Sequence, residues 1–279
     1  MKKKTVADTV LFVVLCLLTV LFLTPIFFVA VNSFKGKLFI SNAPFALPDS
    51  ETFAGLENYR NGIEKTNFFA AFGWSLFITV FSVAAILLFT SMTAYFLTRV
   101  KGRFTSAIYY MFVFSMIVPF QMVMFTMSKL ANVFRLNNPM GMVLLYLGFG
   151  AGLSVFMFCG FVKSIPLEIE EAAMIDGCNP LQTFFVVVLP ILKPTAITVA
   201  ILNAMWIWND YLLPYLVIGL STPYKTIPVV VQYLVGSYGA KDMGAMMALL
   251  VLSVIPIIVF YLACQKYIIE GVVAGAVKG

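Results

Sequence analysis

Two clusters of residues in this chain have the types and spacing to do chemistry. The first lies in KSIPLEIEEAAMIDGCNPLQTFFVVVLPILKP, residues 163–194. Glu168, Glu170 and Glu171 fall early in a short helix, where the backbone N–H groups favour anions. Carboxylates there can pair with basic residues of another protein. Asp176 and Gly177 follow, and a glycine at a helix end takes positive φ without steric cost. Asn179, Pro180 and Gln182 then spell an asparagine variant of the capping box, which starts a second helix. Ser164 is placed to cap the first helix and Pro166 suits its opening turn. Ala172 and Ala173 leave a thin exposed crest, able to enter a groove on a partner. The bland alternative is a capped surface helix that only joins two apolar runs.

The second cluster is AMWIWNDYLLP, residues 204–214. Asp210 is the one acid inside an apolar run, and an ionisable residue at membrane depth is by default a functional candidate. Asn203 and Asn209 add polarity, while Trp206, Trp208 and Tyr211 set aromatic rings beside them. Trp and Tyr also populate membrane interfaces, and Asn209-Asp210 before Pro214 could serve hydrogen bonding around a kink. Gln121 after Pro119 either lines a pathway or satisfies carbonyls freed by the proline. Gly148 and Gly152 have the GxxxG spacing of close helix packing, and Met116–Met127 reads as adaptable packing.

Neither cluster makes a catalytic set. Histidine is absent, which removes the commonest metal ligand and general base together with serine–histidine and cysteine–histidine catalysis. Cys16, Cys159, Cys178 and Cys264 are scattered and read as small core residues, with no disulfide framework or zinc spacing. The sequence holds no GxxxxGK[ST] phosphate loop. The expectation is therefore no catalytic residue, no metal and no cofactor bound by this chain.

The elements that must position these clusters follow from composition. Of 279 residues, 62% are hydrophobic and 11% charged, with mean hydropathy +1.00. A soluble core of this size cannot bury that much apolar surface. The solvent is lipid, and the class is an all-α integral membrane protein. Six apolar runs are each long enough to cross about 30 Å of hydrocarbon as a helix. They are 10–31, 74–97, 105–127, 140–162, 195–218 and 243–264. The first follows residues 1–9 and reads as an uncleaved span, because 22 residues is long for a signal sequence. Residues 227–235 are too short to span and suggest a short helix on the outer face.

Charge sets the expected orientation. The cluster KKK at the start and RVKGR between spans two and three fall on one side, which places both termini in the cytoplasm. Residues 32–73 then form the long extracytoplasmic loop, where Pro44 and Pro48 favour extended chain over the outer surface. Residues 163–193 form an inner loop and 266–279 a cytoplasmic tail. The net charge of +6 speaks to anionic lipid and topology rather than to nucleic acid.

The inner loop resembles the signature of the permease subunits of ATP-binding-cassette importers. That signature is Glu-Ala-Ala, three residues, Gly, nine residues, an aliphatic residue, any residue and Leu-Pro. Here Glu171-Ala172-Ala173 is followed by Gly177 and then by Val187, Val188, Leu189 and Pro190 at that spacing. NSFKG, PFALP, ENY, VPFQ, IDGCNPLQTFF, WNDYLLP, KTIPV and GVVAGAVKG narrow the resemblance to the carbohydrate-uptake branch, similar to the smaller permease of maltose-type importers.

The resemblance implies the six-helix type I importer permease fold, with a core over 71–265, in a bacterial-type cytoplasmic membrane. It implies a second, related permease completing the pathway, two copies of a cytoplasmic ATPase that hold the ATP and Mg, and an extracytoplasmic sugar-binding protein. Glu171, Ala172, Ala173, Asp176, Gly177, Asn179 and Pro180 would seat in a cleft of the ATPase. Gly275, Ala276, Val277, Lys278 and Gly279 would reach toward the ATPase dimer. Gln121, Asn203, Trp206, Asn209, Asp210 and Tyr211 remain candidates for lining the pathway. The rival readings are an importer permease for a non-sugar solute and an ion-coupled secondary transporter. The latter would need more buried acids or histidines than Asp210 provides.

Overall fold

The structure is a computed structural model that describes residues 6–234 and 242–276, with side chains as far as Tyr267. Nearly every described segment is helical, as a chain without water to satisfy its backbone must be. In chain order the helices are α1 (Val6–Asn32), α2 (Lys37–Asn42), α3 (Glu57–Thr66), α4 (Phe68–Arg99), α5 (Arg103–Ile117), α6 (Phe120–Val133) and α7 (Pro139–Val162). Then come α8 (Leu167–Ile175), α9 (Pro180–Ile191), α10 (Lys193–Asn209), α11 (Leu212–Pro214), α12 (Ile227–Tyr233) and α13 (Met243–Ala276). The only strand-like contact among the described residues is a single antiparallel bridge between Lys35 and Phe53.

Four helices, α1, α4, α7 and α13, are long and apolar enough to cross a membrane unbroken. Two further crossings would be bent pairs. α5 and α6 meet at 107° around Val118-Pro119, where the proline lacks an N–H and holds Val118 extended at ψ 114°. α9 and α10 meet at 75°. Span three of the sequence reading is therefore not one helix, and span five stops being regular at Asp210, which has an extended ψ of 124°.

The chain divides into two compact units, Met1–Phe69 with Val230–Ile257, and Ala70–Val229 with Ile258–Gly279. In the first unit α1 is apolar on every face and buries almost none of its surface within this chain, the pattern of a helix bathed in lipid or a partner. The segment after it is tightly held. Lys35 is 1% exposed and its Nζ donates to the Ala43 carbonyl at 2.9 Å. Asn32 donates to Pro44 O at 2.9 Å, and Asn58 Nδ2 donates to both Ser33 O and Lys35 O at 2.8 Å. The prolines keep 43–49 out of helix, but the loop around them folds into α2 and α3 instead of running extended.

In the second unit α7 is the hub. Tyr146, Val155, Phe158 and Val162 are fully buried against Ile78 and Ile86 of α4 and Phe184, Val188 and Leu192 of α9 and its hinge. In lipid such contacts gain from close packing rather than from release of water, so small residues matter. A Cβ on Gly152 would stand 2.6 Å from Ser115 Oγ and 3.0 Å from the Phe112 carbonyl, so α5 crosses α7 there at backbone distance. One on Gly150 would stand 2.6 Å from Ile86 Cδ1 and 2.7 Å from Asn203 Oδ1. Gly148 has open space around it. The close-packing pair is thus Gly150 and Gly152, and only half of the GxxxG spacing is used.

Candidate functional site

The acidic segment builds a helix–elbow–helix from local rules. Pro166 supplies the N-cap position of α8, while the Ser164 hydroxyl turns back to donate to Phe161 O at 2.7 Å and does not cap it. α8 ends in a Schellman motif: Cys178 N–H donates to Ala173 O at 3.0 Å and Gly177 N–H to Met174 O at 3.1 Å. Gly177 takes φ +91°, and a Cβ there would meet nothing within 4 Å. Its requirement is conformational, not steric. Two residues later Asn179 accepts from Gln182 N–H at 2.9 Å while Gln182 Oε1 accepts from Asn179 N–H at 2.9 Å, so the capping box is complete. α9 then opens with Pro180 and loosens into a π-helical stretch over Thr183–Val188.

Orientation separates the three glutamates. Glu168 and Glu171 are exposed, whereas Glu170 is buried at 3%. Arg99, the last residue of α4, holds Glu170 Oε1 with Nε at 2.8 Å and Nη2 at 2.6 Å. The same Nη2 donates to Ile165 O at 2.9 Å, and the Tyr95 hydroxyl donates to Glu170 Oε2 at 2.9 Å. Both carboxylate oxygens are therefore satisfied inside the chain. Glu171, Ala172, Asp176, Gly177, Asn179 and Pro180 lie together on the exposed crest, joined by Met174, Ile175 and Leu181. Ala173, read from sequence as part of that crest, is buried instead. Sequence reasoning placed Arg99 in the basic turn RVKGR but gave neither it nor Tyr95 a part in the elbow; their i, i+4 spacing at the end of an apolar run was a further available signal.

The second cluster is spread over different surroundings. Asn203 is buried and donates to Ser154 Oγ at 3.2 Å and Val199 O at 2.9 Å. Asp210 Oδ1 accepts from Leu212 N–H at 3.0 Å, and Oδ2 accepts from the buried Tyr146 hydroxyl at 3.0 Å. Trp206 meets Tyr146 edge to face at 5.4 Å, with the indole 42% exposed. Asn209 is exposed and donates to Met205 O, and Tyr211 stacks on Tyr215 at 5.1 Å. Gln121 is exposed in the first turn of α6. Of the tail, Gly275 and Ala276 close the backbone of α13, while Val277, Lys278 and Gly279 lie outside the described residues, as do Lys2, Lys3 and Lys4.

Residues 86–273 match the family described as the inner membrane component of binding-protein-dependent transport systems. This chain belongs to that family. The match runs from the middle of α4 into α13, so it takes in Arg99, the elbow and Asp210. Among relatives of this permease component, AmyC of Thermoanaerobacterium thermosulfurigenes is 41% identical over 94% of this chain and 93% of its own length. It is described as a probable permease protein for starch degradation products. MsmG of Streptococcus mutans, a multiple sugar-binding transport system permease, is 34% identical over 93% of each chain. MelC of Bacillus subtilis, a melibiose, raffinose and stachyose import permease, is 31% identical over 80% of each. The fold matches a chain in the crystal structure of a bacterial ABC transporter involved in the import of the acidic polysaccharide alginate. The TM-score is 0.72 at 22% identity, covering 96% of this chain and 99% of that one. The permease component is a membrane protein, and its long apolar helices are the physical basis of that placement.

Proposed function

We propose that this permease component forms half of the pathway of an ATP-driven sugar importer and is moved through the elbow at Gly177. The observation that carries the reading is the pairing of a rigid, self-capped elbow with an exposed acidic crest. Glu171 would meet a basic residue in a cleft of a cytoplasmic ABC ATPase, and Ala172 would let the crest enter it. A second, related permease would complete the pathway, two ATPase copies would hold the ATP and Mg, and an extracytoplasmic binding protein would deliver solute. Sugar, and oligosaccharide in particular, is favoured by the transport described for AmyC, MsmG and MelC.

The orientation has support of its own. Arg99 belongs to the basic turn RVKGR and reaches Glu170, so that turn and the elbow share one side of the bundle. Clustered Lys and Arg mark the cytoplasmic side, which is where an ATPase would be met.

The test is purification in mild detergent, followed by uptake in vesicles. The wild-type chain is expected to bring down a second permease and an ATPase. Glu171→Lys and Gly177→Pro are expected to remain in the membrane and lose uptake. Normal transport by both variants, or uptake that stops on collapse of ion gradients but survives ATP depletion, overturns the reading.

A further inference from the structure

The last turns of α4 touch both limbs of the elbow. Tyr95 and Arg99 are four residues apart and so share a helix face. Through its guanidinium Arg99 holds Glu170 in α8 and the Ile165 carbonyl just before it. Through its ring Tyr95 lies 5.4 Å from Phe184 in α9. The side chains of Arg99 and Glu170 are only 16% and 4% exposed. A buried ion pair is a poor source of stability, since well-packed apolar residues of similar volume serve as well or better. What this pair supplies is fixed geometry: a planar fork of N–H donors aimed at a carboxylate and a carbonyl at once.

We propose that Arg99 is a positioning residue that makes α4 move with the elbow. The proposal rests on the reading that an ATPase grips the crest. A tilt of α8 displaces Glu170, and the guanidinium carries that displacement into the end of α4. α4 has 32 residues, roughly 48 Å at 1.5 Å per residue, enough to carry the motion across a bilayer. Packed helices shift as bodies between discrete arrangements, and the tie selects which helix shifts with the elbow. Glu171 and Glu170 then have separate duties, the first facing the motor and the second facing the bundle.

The experiment places a nitroxide spin label at Leu76→Cys on α4, with Cys16, Cys159, Cys178 and Cys264 replaced by alanine. The label is read in the purified complex, nucleotide-free and trapped with ATP and vanadate. The parent carrying Arg99 is expected to show a nucleotide-dependent change in the spectrum. In Arg99→Met/Glu170→Met, which removes both charges together, the ATPase is expected still to co-purify while that change shrinks at least about fivefold. A double variant whose spectrum responds like the parent's overturns the proposal, and so does a parent that shows no response. So does a double variant that loses the ATPase, because the pair would then only hold the elbow in shape. Absence of an ATPase already from the parent sinks the docking reading instead.

Discussion

The Tyr146 hydroxyl donates to the Asp210 carboxylate at 3.0 Å, and through that bond α7 holds the place where α10 stops. The other oxygen of Asp210 accepts from Leu212 N–H, so one side chain caps the start of α11 and anchors that junction to the hub. The acid that stands out most in the sequence is thus engaged on both oxygens in structural bonds.

Asp210→Ala is expected to destabilise the protein by about 1–3 kcal/mol, since a buried hydroxyl and a helix-end N–H lose their acceptor. Asp210→Asn keeps an acceptor for Leu212 N–H and should retain most uptake. Thermal unfolding in detergent, run beside uptake, checks both. Loss of uptake in Asp210→Asn at unchanged stability would point to the charge itself.

At Gly177 the demand is for φ +91° in open space. Gly177→Ala should therefore cost about 1–2 kcal/mol of backbone strain and lower uptake partially. Gly177→Asn, whose side chain tolerates the left-handed region, should cost less. Gly177→Pro fixes φ near −65° and removes the N–H that Met174 O accepts, so uptake should vanish. Uptake ranked Gly, Asn, Ala, Pro is the expected order.

Gly152→Leu should break the α5–α7 crossing and abolish stable expression, whereas Gly148→Leu, with nothing within 4 Å, should behave like wild type. Fluorescence-detected size-exclusion profiles distinguish them. Equal damage from both would mean that the α7 face at Gly148 is covered by something beyond this chain.

Lys65 and Asp242 form an ion pair at the start of α13. Burial pushes the Asp242 carboxyl up, but hydrogen bonds from Lys65 and Ala245 N–H and the charges of Lys65 and Lys37 outweigh it, leaving it below the usual carboxylate range. A lowered carboxylate contributes stability above its unfolded value and loses it as pH falls through the folded one. The melting temperature should therefore drop on acidification below about pH 4. In Lys65→Met the drop should be smaller, because the shift that causes it is reduced.

Much of the elbow was legible because its parts are neighbours in sequence. Gly177, Asn179 and Gln182 act on backbone groups within five residues, so the bonds they make need no distant partner. The apolar runs were legible for a similar reason, since transfer into hydrocarbon is a sum over local side chains. Breaks inside the runs were legible where prolines stand beside them, at Pro119 between α5 and α6 and at Pro190 and Pro194 around the α9–α10 hinge. Asp210, where α10 stops, carries no residue type that by itself forbids a helix.

Sequence alone could not say which of Glu168, Glu170 and Glu171 faces inward. All three are equally acidic, and a helix of nine residues has no apolar stripe strong enough to fix its roll. The deciding partner, Arg99, lies 71 residues before Glu170 and meets it only when α4 and α8 lie side by side. The same holds for Tyr146 and Asp210, 64 residues apart, and for Gly150 under Asn203. The membrane class, the helical run lengths and the self-capped bend follow from short-range terms written along the chain. Which acid faces the bundle, which glycine admits a neighbour and which carboxylate closes a helix end depend on contacts that exist only after the helices pack.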